Sequence, residues 1–106
     1  MNTYTLKILL PGKKIYEGEI VSITAQCENG YISVLAGHEP MVAKLAEGLL
    51  TVRTKKEIIE GTAGSGMLFV GRNEAVIMIS TFVWAGDEAG KGLGAEESAQ
   101  AAQELS

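Results

Sequence analysis

Val21-Ser22-Ile23-Thr24-Ala25-Gln26-Cys27, followed by Glu28-Asn29-Gly30 and then Tyr31-Ile32-Ser33-Val34-Leu35, is the stretch whose reading decides the fold. The first seven residues alternate apolar and polar without a fault, which is the period of a strand that buries one face. Asn29 and Gly30 tolerate left-handed backbone, so Glu28-Asn29-Gly30 supplies turn chemistry. Ile32 and Val34 then share one face of a returning strand. A β-hairpin is the simplest structure that satisfies all three segments.

The same punctuation recurs in both directions. Towards the N-terminus, Tyr4, Leu6, Ile8 and Leu10 alternate with Thr5, Lys7 and Leu9, Pro11-Gly12 ends that strand, and Lys13 to Tyr16 offers a short return strand. Towards the C-terminus, Gly37-His38-Glu39-Pro40 makes a corner in which Gly37 offers positive φ and Pro40 presets the turn. Met41 to Leu45 and Leu49 to Thr54 read as two strands separated by Ala46-Glu47-Gly48, and Lys55-Lys56 turns the chain into Glu57 to Ala63. Gly64-Ser65-Gly66, Met67 to Val70, Gly71-Arg72-Asn73 and Glu74 to Thr81 continue the series. In the last of these, Ala75 to Ile79 is apolar without interruption, which predicts burial on both faces or one face set against a partner. Many short strands with turn signals every 8 to 12 residues predict an all-β, two-sheet sandwich.

Composition sets the limits. A chain of 106 residues, 46% hydrophobic and 21% charged, is long enough for one packed core without disulfides or metal and too rich in apolar residues to stay unfolded. Residues 1–85 are read as the sandwich. Gly86, Gly90, Gly92 and Gly94 would each cost a helix interior about 1 kcal/mol. Residues 86–94 are therefore read as a Gly-rich linker, and 95–106, rich in Ala, Glu and Gln, as a short helical or disordered tail.

A net charge of −4, with basic residues no more clustered than the pairs Lys13-Lys14 and Lys55-Lys56, argues against nucleic-acid binding. No segment approaches the roughly 18 apolar residues of a membrane-spanning helix, so direct membrane insertion is not expected. One histidine and one cysteine are too few for a metal site or a nucleophilic dyad, and no catalytic residue, metal or cofactor is predicted. Cys27, in an alternating strand, reads as a buried thiol in a reducing compartment. Gly61-Thr62-Ala63-Gly64-Ser65-Gly66 lacks the Gly-Lys-Ser/Thr ending of a phosphate loop and reads as a hairpin turn. His38 by itself reads as a turn residue bonded to nearby backbone.

Three blocks in order resemble the epsilon subunit of F-type ATP synthase. Tyr4-Thr5-Leu6-Lys7-Ile8-Leu9 with Ile15-Tyr16-Glu17-Gly18 is similar to the family's opening. Gly30 to Met41, continued by Glu47-Gly48-Leu49-Leu50, is similar to its Gly-His-x-Pro signature. Gly66-Met67-Leu68-Phe69-Val70 with Asn73-Glu74-Ala75-Val76-Ile77-Met78 is similar to its closing hairpin. The resemblance implies a ten-stranded sandwich that acts as a non-catalytic part of the rotor. It would sit at the foot of the central stalk, on the cytoplasmic face of the bacterial inner membrane, and serve the alpha and beta subunits only indirectly. Carried over by position, it implies a c-ring contact at Glu28, Asn29, Gly30 and Tyr31, with Tyr31 where an acidic residue is frequent. It implies a gamma-subunit contact at Leu10, His38 and Ala43, and structural turn roles for Gly37 and Pro40.

Family members usually continue into an inhibitory two-helix domain, and some bind ATP through Asp-x-x-Arg-Ala. Here Asp87-Glu88-Ala89-Gly90-Lys91 lacks the arginine and too few residues follow for two helices, so a short form without that inhibition is expected. An unrelated sandwich binding a peptide or sugar is the alternative that the residues leave open. The missing arginine predicts that calorimetric titration of the chain with ATP gives no binding heat; a saturable isotherm would contradict it.

Overall fold

The computed structural model describes residues 2–85. The linker and tail assigned to 86–94 and 95–106 lie outside the described residues. Nine strands follow in order: β1 (Tyr4–Leu10), β2 (Lys13–Ile20), β3 (Ser22–Cys27), β4 (Gly30–Leu35), β5 (Met41–Arg53), β6 (Ile58–Ala63), β7 (Gly66–Val70), β8 (Glu74–Ile79) and β9 (Phe82–Trp84). They form a β-sandwich whose two sheets share β5. One sheet runs β2-β1-β8-β7-β5 and the other β4-β3-β5-β6-β9. All pairs are antiparallel except β1 with β8.

The predicted break at Ala46-Glu47-Gly48 does not separate two strands. Met41 to Leu45 pairs with β7, Gly48 to Arg53 pairs with β6, and β3 bridges the two stretches on the opposite edge by pairing with Leu45 and with Leu50 to Arg53. Ala25 opposes Leu50 and Cys27 opposes Leu45, so five steps on β5 face two on β3, which makes a wide bulge. Leu45 and Leu50 are an odd number of residues apart and would face opposite sides of a regular strand; the bulge buries both. Gly48 is a requirement of this arrangement, because a Cβ there would lie 2.8 Å from Cβ of Gln26. Nine described strands replace the ten implied by resemblance because one long strand serves both sheets.

Other expectations also change. The return strand extends to Ile20 rather than stopping at Tyr16, since Glu17 and Glu19 point to solvent from the sheet edge. Gly61 to Gly66 is not a hairpin: Gly61 to Ala63 belong to β6, Gly66 starts β7, and the two strands do not pair with each other. Of the two readings of the apolar run in β8, burial on both faces is ruled out: Ala75, Ile77 and Ile79 are buried on one face, while Met78 on the other is 49% exposed. Cys27 is half-buried at the margin of the core rather than enclosed.

Leu6, Ile8, Ile23, Val34, Leu68 and Ile77 are fully buried and come from both sheets. Each contributes about 1.5–3 kcal/mol of apolar burial. Two further contacts join the layers. The buried Tyr4 hydroxyl of β1 donates to the Val34 carbonyl of β4, 2.6 Å away. At the side opposite β5, Tyr16 of β2 meets Trp84 of β9 with ring centroids 6.5 Å apart, and Phe82 packs edge-on against Trp84 at 4.5 Å.

Burial pushes the Tyr4 phenol well above its ordinary value of 10.0, with a smaller opposing effect from hydrogen bonding to the Ile23 backbone. Burial, helped by the Glu57 charge, raises Tyr16 as well. For a phenol raised in the folded state, stability is fully present below the unfolded value. It declines above about pH 10, where the unfolded chain alone gives up the proton. Tyr4→Phe should lower stability in urea melts by about 1–2 kcal/mol at pH 7, and should flatten the alkaline decline. An unchanged melt at both pH values would mean that the hydroxyl does not join the layers.

Candidate functional site

Glu28 and Asn29 form the two-residue connection of the β3–β4 hairpin, closed by Cys27 opposite Gly30. Both are exposed, and Gly30 has φ 126°, which is why a glycine opens β4. Tyr31 stands beside the turn, 61% exposed. The four positions assigned to one contact are thus adjacent on a projecting tip.

The positions assigned to the second contact do not gather in the same way. His38 lies in the corner that follows β4, at the far end of that strand from the tip. The six residues of β4 separate the two sites by about 20 Å. The His38 amide donates to the Leu35 carbonyl at 3.2 Å, and its Nδ1–H donates to the Glu39 carbonyl at 2.8 Å. It is therefore the backbone-bonded turn residue that its position suggested. Gly37 has φ 83° and space around its Cα, so its constraint is conformational rather than steric. Pro40 precedes β5 and lines two depressions. One is polar, with Gly37, His38, Glu39, Arg72 and Asn73; the other is an apolar groove with Met41, Val42, Phe69 and Val76.

Ala43 points inwards and is half-buried against the core, and so is Leu10, at the other end of the sheet near the β1–β2 turn. What the β5 segment offers to solvent is Val42, 61% exposed, and Lys44. Register carries this surface across the sheet: Val42 lies beside Phe69, then Val76, then Lys7, while Lys44 lies beside Met67, then Met78, then Leu9. The result is an apolar outer face on β5, β7, β8 and β1. The uninterrupted apolar run of Ala75 to Ile79 was its signal in the sequence, where one face set against a partner was one of two readings; its extent over four strands had no signal there. Among the described residues no three of His, Cys, Asp and Glu converge as metal ligands.

These elements define a class: an all-β sandwich with an exposed hairpin tip at one end and a glycine-proline corner at the other, the corner running into an apolar outer face. The chain belongs to the ATP synthase delta/epsilon chain β-sandwich family, whose model matches residues 3–85. It is therefore not the unrelated sandwich left open by the residues. The ATP synthase epsilon chain of Corynebacterium jeikeium is 34% identical over 77 residues, covering 71% of this chain and 63% of that one. The ATP synthase epsilon chain of Ruminococcus albus is 25% identical over 88 residues, covering 83% and 66%. The chain thus spans about two thirds or less of the length of these relatives. A chain in the cryo-EM structure of Euglena gracilis mitochondrial ATP synthase shares the fold, with a TM-score of 0.76 at 21% identity, covering 95% of this chain and 61% of that one.

Gly37→Val places a β-branched residue in left-handed backbone and should cost about 1–3 kcal/mol in chemical denaturation, with Gly37→Asn losing less. Equal melts for Val, Asn and Gly at this position would show that the corner does not hold the positive φ.

Proposed function

We propose that this protein is a non-catalytic central-stalk subunit of an F-type ATP synthase, coupling the c ring to the gamma subunit during ion-driven ATP synthesis. The observation that carries the proposal is the separation of two exposed surfaces on one rigid body. The Glu28–Tyr31 tip and the His38 corner occupy opposite ends of β4, about 20 Å apart. A part that transmits torque must hold two partners at once without bending between them. A sandwich joined by a shared strand, a buried hydrogen bond and an aromatic contact meets that need.

The tip meets the polar loops of the c ring, with Glu28 supplying the carboxylate and Tyr31 an amphipathic contact. Gamma takes the other surface, from His38 and Pro40 along the groove to Val42 and Phe69. Leu10 and Ala43 support this surface from within: Ala43 stands between Val42 and Lys44, and Leu10 follows Leu9. The alpha and beta subunits receive the motion through gamma. The protein is peripheral to the cytoplasmic side of the membrane through its complex, and the sandwich performs no bond chemistry.

Binding of the purified chain to gamma and to isolated c rings tests the proposal directly. Tyr31→Ala should weaken c-ring binding about tenfold, or about 1.4 kcal/mol, while stability changes by less than about 0.5 kcal/mol. A chain that binds neither partner, or a Tyr31→Ala variant whose loss of stability equals its loss of binding, would count against it.

A further inference from the structure

We infer that the apolar outer face is bordered by lysines that choose its occupant: a surface of gamma that is apolar at its centre and carries a carboxylate opposite Lys44 and another opposite Lys7. The inference rests on the reading above that gamma is the partner, and adds the chemistry of its docking surface. Val42, Phe69 and Met78 are 61%, 39% and 49% exposed and neighbour one another across three strands. An apolar area of this kind marks a contact surface in a folded chain.

Charges of both signs border it, and the two lysines flank its apolar centre. The outward positions of β1, β5 and β8 bring Lys7, Lys44 and Glu74, and the neighbouring edge strand β2 adds Glu17 opposite Lys7, Glu19 opposite Thr5 and Lys14 opposite Leu9. Lys44 faces Met67 across the register and Met78 beyond it, so no acidic neighbour stands beside it on that row. The ion pair found among the described residues is Lys14 with Glu17. Lys7 lies opposite Glu17, but that carboxylate is held low first by the hydrogen bond and charge of Lys14 and only lastly by Lys7. Both lysines therefore retain capacity for an external anion.

They occupy diagonal corners of the face, three strand spacings and two residues apart, or roughly 16 Å between Cα atoms. This is an interface with an apolar centre and a charged rim. In it, the rim sets approach and register, and the centre holds the complex together.

Calorimetric titration of the full chain with purified gamma at about 50 mM and about 300 mM salt tests this, because screening weakens exposed charge pairs at the higher value. Lys44→Gln should weaken binding about five- to tenfold at low salt and reduce the salt dependence, with Lys7→Gln acting in the same direction and Lys44→Arg restoring affinity. Val42→Ser and Phe69→Ser should weaken binding at both salt concentrations. If the serine variants weaken binding but the glutamine variants change neither affinity nor salt dependence, the lysines only keep the face soluble; the inference fails while the assignment of gamma stands. If gamma binds wild type and all five variants equally, gamma docks elsewhere and the inference fails. If wild type does not bind gamma, the functional proposal fails and this inference with it.

Discussion

One strand belongs to both sheets, and the rest of the molecule is arranged around that fact. β5 is 13 residues long and has two hydrogen-bonding edges, whose buried backbone groups need partners on both sides. β3 pairs with one edge at Leu45 and from Leu50 to Arg53, while β7 and β6 divide the other. The strand can serve both layers only if its buried face is reset between them. The bulge before Leu50 does this, and the absence of a side chain at Gly48 lets Gln26 approach. Once β5 is placed, β1 and β8 fall on one side and β3 and β4 on the other.

Two weaker contacts complete what β5 begins. A sandwich hinged along one shared strand would be free to open at its far side, where β2 and β9 are the outermost strands. Tyr16 and Trp84 meet there, and the Tyr4 hydroxyl reaches the Val34 carbonyl between these two sides. Aromatic pairs and buried hydrogen bonds each contribute only about 1 kcal/mol. Their value lies in position, since each resists a separation that apolar packing alone would tolerate. A stiff body with separated surfaces is what the proposed role in a rotating assembly requires.

Much of this was legible in the chain. Alternation in Tyr4 to Leu10 and Val21 to Cys27 gave the strands and their inward faces, and Glu28-Asn29-Gly30 gave the hairpin at its true position. Ala46-Glu47-Gly48 was misleading because glycine serves equally in a turn and at a close approach between strands, and local sequence does not distinguish the two uses. The pairing of β1 with β8 has no local signature at all. Of the candidate site, the tip was readable from its turn residues. The apolar outer face was not, because it is assembled from single residues on four strands that only the register makes neighbours.

The parallel pairing of β1 with β8 also governs how the chain can be made. Thr5 lies opposite Glu74, which follows it by 69 positions. During synthesis at about 5–20 residues per second, the first strand must wait several seconds for the strand that seats it. Hairpins such as β1–β2 and β3–β4 can close meanwhile, but the β8 edge of the first strand stays unpaired until Glu74 to Ile79 have been made. Contacts so distant in sequence slow folding, and an unseated strand is a template for wrong pairing. The interval before β8 is made, more than the finished sandwich, is when the first strand is most open to wrong pairing.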